Sequence, residues 1–74
     1  MSLMIKRGSE LIRINTQKNT IEFSTSDGRN WSTRCSSGLY GTFYDLTDNG
    51  REILATTSKG LYFSHDEGRN WNKR

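Results

Sequence analysis

The stretches "FSTSDGRNW" at residues 23–31 and "FSHDEGRNW" at residues 63–71 repeat one another at a shift of 40 positions in a chain of only 74. Extended to "FSTSDGRNWSTR" and "FSHDEGRNWNKR", seven of twelve positions are identical. The same shift pairs Ile14 with Leu54, Thr16 with Thr56 and Ile21 with Leu61. Whatever fold the first half takes, the second half takes a related one.

The local signals within each copy are those of short strands and tight turns. Pro is absent, and Gly, Ser, Thr and Asn are frequent, a mix that suits hairpins better than helices. In the second copy "GLYGTFYDL" (38–46) predicts a strand, "TDNG" (47–50) a hairpin turn with its Asn-Gly pair, and "REILATT" (51–57) the next strand. "SKG" (58–60) is a turn, "LYFS" (61–64) a third strand, and Trp71 opens a short fourth. The first copy predicts a weak strand at 3–7, then strands at 10–16, 19–24 and 30–35. The expectation is an all-β chain of eight short strands in two four-stranded antiparallel meanders. A period near 40 residues is the size of one four-stranded propeller blade. A single domain then divides into units 1–35 and 36–74, linked at Cys35-Ser36-Ser37-Gly38. Met1-Ser2-Leu3 ahead of Met4 reads as a cloning scar.

Each residue of the repeated stretch has a physical reason. In Ser64-x-Asp66-x-Gly68-x-x-Trp71, a carboxylate two residues before a glycine can accept hydrogen bonds from turn N–H groups. Gly68 supplies a backbone angle that other residues avoid, Ser64 adds a hydroxyl, and Trp71 can fold back over the hairpin base. This pattern resembles the Asp-box, or BNR repeat, of sialidases, sortilin-type receptors, some glycan-cleaving propellers and photosystem assembly factors. The resemblance spans about residues 10–74 and includes "ATTSKGLY" ahead of the second box. It implies blade-like antiparallel sheets, with Ser24, Ser26, Gly28 and Trp31 in one box and Ser64, Asp66, Gly68 and Trp71 in the other. The first box departs from the pattern, because Ser26 holds the Asp position and Asp27 is displaced beside Gly28. Its turn should be capped more weakly. The resemblance does not imply catalysis, since in that family the box lies on an outer hairpin far from any active site.

The residues themselves also argue against an enzyme. Four of the seven arginines (Arg29, Arg34, Arg69 and Arg74, with Arg7, Arg13 and Arg51 the others) belong to the repeat, which suits a structural or surface role. Glu10, Glu22, Asp45, Asp48, Glu52 and Glu67 show no spacing that enforces a catalytic pair. His65 occupies a variable turn position. Asp66, Asp27 and Glu67 lack the run of oxygen ligands that calcium needs, and one Cys with one His cannot build a structural zinc site. No cofactor or metal is expected.

The expected function is therefore a non-enzymatic binding or scaffold module. Exposed Tyr40, Tyr44 and Tyr62 are candidate ligand contacts for a carbohydrate-binding alternative, against a core role for all three. Lys73, Arg74, Arg69, Arg34 and Arg29 interleaved with Trp31 and Trp71 could suggest nucleic acid; packing of both tryptophans within their boxes speaks against it. The net charge of +3 reads as a well-solvated surface.

A chain this short buries only about 60–65% of its unfolded surface, and small scaffolds usually add disulfides, a metal or oligomerisation. With hydrophobic content at 31% and a lone Cys35, oligomerisation is the support left open. The second unit carries apolar groups on both faces, with Leu61 and Phe63 opposed to Tyr62 and Ile53 opposed to Leu54. The first has one polar face, bearing Arg13 and Glu22. Burying that face in a closed ring of copies, such as three chains making six sheets, would require those two to pair. The alternative is a smaller assembly or an open stack in which that face meets water, so a cyclic homo-oligomer, a dimer or other small assembly, and a monomer all stand as expectations. No stretch approaches the roughly 20 apolar residues of a membrane helix and no signal peptide is visible, so a cytoplasmic location is expected.

Overall fold

A computed structural model describes residues 3–36 and 38–74. Met1 and Ser2 of the suspected scar, and Ser37 of the linker, lie outside the described residues. The chain forms strands β1 (Met4–Arg7), β2 (Glu10–Asn15), β3 (Thr20–Ser24) and β4 (Ser32–Cys35). A 3-10 turn (Gly38–Tyr40) follows, then β5 (Phe43–Asp48), β6 (Ile53–Thr57), β7 (Gly60–Ser64) and β8 (Asn72–Lys73). They assemble into two four-stranded sheets in the orders β1-β2-β3-β4 and β5-β6-β7-β8, with every pairing antiparallel.

Register decides which side chains face inward, because residues directly opposite on antiparallel strands share a face. In the first sheet Ile12 stands opposite Ile5 and Phe23, and Ile14 opposite Ile21. The reverse face carries Arg13 opposite Glu22. In the second sheet Ala55 is opposite both Leu46 and Tyr62, and turns inward. Leu54 opposite Phe63, and Thr56 opposite Leu61, turn outward.

The sheets pack face to face over one core. The first contributes Ile12, Ile14, Ile21 and Cys35; the second contributes Phe43, Leu46, Ile53, Ala55, Tyr62 and Trp71. Aromatic rings fill much of it, with Tyr40 edge-on to Tyr62 at 5.3 Å and Phe43 beside Trp71 at 5.8 Å. In a thin core these rings carry a large share of the buried area. Among the described residues, no helix is long and apolar enough to cross a membrane.

Two expectations are corrected. The strand expected over 38–46 begins only at Phe43, and Gly38–Tyr40 coil into a 3-10 turn. Asn19, in the turn between β2 and β3, occupies the backbone groups around the late start. Its Nδ2 donates to the Gly41 carbonyl and its Oδ1 accepts from the Phe43 N–H, both at 2.9 Å. The hairpin turn expected at 47–50 shifts later, since Thr47 and Asp48 still pair with Leu54 and Ile53. Asn49 closes that turn by accepting from the N–H groups of Arg51 and Glu52 at 3.2 and 2.8 Å.

Candidate functional site

The two repeated turns are built alike. Ser24 and Ser64, at the ends of β3 and β7, are buried, and each hydroxyl accepts the N–H of the turn glycine, Gly28 or Gly68, at 2.9 Å. In the second turn the Ser64 hydroxyl also donates to Asp66 at 2.7 Å. The Asp66 carboxylate then accepts both the backbone N–H and the side-chain amide of Asn70, each at 2.9 Å. Burial pushes this carboxyl up, but the hydrogen bonds from Asn70 and Ser64 outweigh it and hold the pKa down to about 2. In the first turn the Ser26 hydroxyl accepts the Asn30 N–H at 3.0 Å and shares a longer hydrogen bond with the Ser24 hydroxyl at 3.3 Å, but takes no side-chain amide. That is the weaker cap expected of serine. The displaced Asp27 adopts a left-handed backbone (φ 59°), as does its counterpart Glu67 (φ 65°), whose carboxylate is held by Arg7 rather than by the turn.

The tryptophans behave differently. Trp31 is half-buried, donates its Nε1–H to the Gly28 carbonyl at 3.0 Å, and lies under the Arg13 guanidinium at 3.9 Å. Trp71 is buried between the sheets, and its Nε1 has no hydrogen-bond partner among the described residues.

Charged ties join the sheets around these turns. Arg34 donates to both oxygens of Glu10 at 2.7 and 3.0 Å and to the Glu67 carbonyl at 3.1 Å, with its guanidinium 3.8 Å above the Phe23 ring. Its side chain is only 3% exposed. Those hydrogen bonds hold the Glu10 carboxyl below its ordinary range. Arg7 grips Glu67 with two hydrogen bonds at 3.0 and 3.1 Å and Asp48 with one at 2.7 Å. An open hollow of about 360 Å³ lies there, lined by Lys6, Arg7, Gly8, Asp48, Gly50 and Glu67. A second hollow, of about 330 Å³, is lined by Asn49, Arg51, Glu52, His65 and Arg74. At its floor the buried Glu52 carboxylate meets His65 Nε2 at 2.8 Å and the Arg74 guanidinium.

In each hollow part of the charged lining is already paired, Arg7 with Asp48 and Glu67 in one and Glu52 with His65 and Arg74 in the other. Among the described residues no three His, Cys, Asp or Glu side chains converge on a metal position. Of the candidate tyrosines, Tyr62 is buried and Tyr40 packs against it, while Tyr44 stands 54% exposed. The structure thus places Tyr62 in the core with half-buried Tyr40 packed against it, and leaves Tyr44 on the surface. The basic and aromatic residues weighed for nucleic acid are dispersed likewise, with Arg34 and Trp71 inside and Arg29 and Arg69 on turns. Sequence reasoning missed Arg7, Asn19 and Glu52 as organising residues, and their partners lie up to 60 positions away.

The class defined here is an all-β protein of two stacked antiparallel meanders, each closed by a serine-capped turn. Comparison with protein-family models, with curated proteins and with solved structures finds no match for this chain.

Proposed function

We propose that the chain is a non-enzymatic Asp-box repeat protein acting as a small protein-interaction or scaffold module. One observation carries the reading. The outer face of the second sheet presents Leu61 at 39% exposure beside half-buried Leu54 and Phe63, on regular strands over which no other strand packs among the described residues. Contiguous apolar side chains on a monomer's surface mark contact sites. The carboxylates favour the same reading, because Glu10, Glu22, Asp48, Glu52 and Asp66 are engaged in ion pairs or turn caps. The free, buried Cys35 suits a reducing cytoplasm.

A carbohydrate-binding reading keeps one exposed platform ring, Tyr44. The two separate by experiment. A photo-crosslinking residue at position 61 is expected to give protein adducts. No protein adduct, together with a glycan-array signal that Tyr44→Ala abolishes, would overturn the interaction module in favour of the sugar.

A further inference from the structure

The two sheets meet through unlike surfaces. The first offers Ile14, Ile21, Phe23 and Arg34; the second receives them with Ile53, Tyr62 and the turn from Gly68 to Trp71. The forty-residue shift carries the offering set onto Leu54, Leu61, Phe63 and Arg74. These stand on the outer face of the second sheet, where Leu54 and Phe63 are half-buried, Leu61 is 39% exposed where Ile21 is 0%, and the Arg74 side chain is 47% exposed where that of Arg34 is 3%. The same shift carries the receiving set onto Arg13, Glu22, Gly28 and Trp31, on the outer face of the first sheet. One chain therefore displays at its two ends an offering surface and a receiving surface at the repeat positions that meet at its centre, with Arg13 and Glu22 standing where Ile53 and Tyr62 stand in the central contact.

We propose that these ends join, so that the outer face of β6 and β7 in one copy docks on the outer face of β2 and β3 in the next. This rests on reading the chain as an interaction module and names its partner as a second copy. Arg74 is poised for the role of Arg34. It lies 4.8 Å over Phe63 and holds Glu52, as Arg34 lies 3.8 Å over Phe23 and holds Glu10. Arg34 reaches the carbonyl of Glu67 in the facing turn; Arg74 reaches that of Asp27 in the neighbouring copy, whose backbone has the same left-handed bend. The Asp27 carboxylate is without an ion pair among the described residues and adds opposite charge to the meeting.

The receiving face is ready for burial despite its charges. Arg13 and Glu22 pair at 2.9 Å, Asn15 donates a further hydrogen bond to Glu22, and Glu22 is already 7% exposed in the single chain. The pair is formed beforehand, so covering it removes water chiefly from the Arg13 side chain, which is 37% exposed. It still gives less than Ile53 and Tyr62 do at the centre, so contacts between copies are weaker than the internal one. Because the two surfaces differ, the contact is heterologous and repeats into a ring or an open stack.

Two full-length variants test this. Leu61→Glu spoils the offering face, and Asp27→Arg sets a positive charge against Arg74 on the receiving face. Light scattering at low micromolar protein is expected to give the wild type a mass above 8.5 kDa. Each variant should associate roughly a hundredfold more weakly, since like charge is expensive at an interface, while its circular dichroism remains that of the wild type. Mixed together they should form a one-to-one pair and stop, because each retains the surface the other lacks. Arg74→Ala replaces Leu61→Glu if that variant unfolds. A monomeric wild type, variants that still assemble, or a mixture that stays monomeric would overturn the proposal. Protein adducts from position 61 that contain no second copy would do the same and leave the interaction module standing.

Discussion

A Cβ built on Gly68 would stand 3.3 Å from Cγ2 of Ile21, a residue of the opposite sheet. The second turn therefore closes its own hairpin and also rests on the core of the first half. Gly50 has nearly the same backbone angle, φ 93° against 92°, with nothing within 4 Å of its Cβ position. Gly50→Ala should lose about 1–2 kcal/mol from backbone strain alone. Gly68→Ala should lose about 1–3 kcal/mol more through crowding against Ile21. Urea midpoints measure both, and equal losses would show that the approach of turn to sheet is unimportant.

Exchanging the caps should have opposite effects in the two turns. Asp66→Ala removes an acceptor of two Asn70 hydrogen bonds and should cost about 1–2 kcal/mol. Ser26→Asp should gain about 0.5–1 kcal/mol, because Asn30 stands where Asn70 stands in the second turn and brings a free amide to a new carboxylate. Thermal melts of the two single variants check the signs. A Ser26→Asp protein less stable than wild type would contradict this account of the first turn.

Acid should loosen the protein through the same cap. The folded pKa of Asp66 lies below its unfolded value, at about 2 against 3.8. Its contribution is therefore complete above about pH 4 and fades as the pH falls towards 2. Glu10 and Asp48 are lowered too, Glu10 chiefly by the hydrogen bonds of Arg34 and Asp48 by the Gly50 N–H and then Arg7, so they add to the loss in the same direction. Denaturant titrations across this window should show wild-type stability falling with pH, and a shallower fall for Asp66→Ser. Parallel curves would remove Asp66 from the acid response.

Arg34→Ala should cost about 2–3 kcal/mol, because it strands Glu10 beneath the sheet contact and opens the Glu67 carbonyl. Arg74→Ala in dilute solution should cost under about 1 kcal/mol, as expected for a half-exposed ion pair, since Glu52 keeps Asn49 and His65. Chemical denaturation of both variants well below any assembly concentration makes the comparison. Equal losses would mean that position in the sheet contact does not distinguish the two arginines.

The eight strands and both turns were legible because their information is local. Alternation of Ile12, Ile14, Ile21 and Phe23 gives the first inner face, and the repeated serine and glycine give the caps. Capping by Asp66 and its weaker imitation by Ser26 followed from side-chain chemistry at a spacing of two. The long-range ties were not legible. Nothing near Asn19 announces that it will hold Gly41 and Phe43, and nothing near Arg34 distinguishes a buried fork from the exposed Arg74 of an identical motif position. Tyr62 illustrates the same limit. Alternation placed it opposite Leu61 and Phe63, but which face of the second sheet would meet the first depended on the other half of the chain.

Every strand pairs only with its immediate sequence neighbours, and no pairing crosses from one half of the chain to the other. Closure of each meander therefore requires short loops alone, which is the fast part of folding. The contacts that join the halves bridge longer stretches of chain and are expected to form later: Gly68 settling on Ile21, Arg7 and Arg34 crossing over, Asn19 catching Phe43. Contacts made after the rate-limiting barrier act mainly on the escape rate. The lifetime of the native protein is therefore expected to depend on a few crossing residues, and the speed with which it forms on the hairpins.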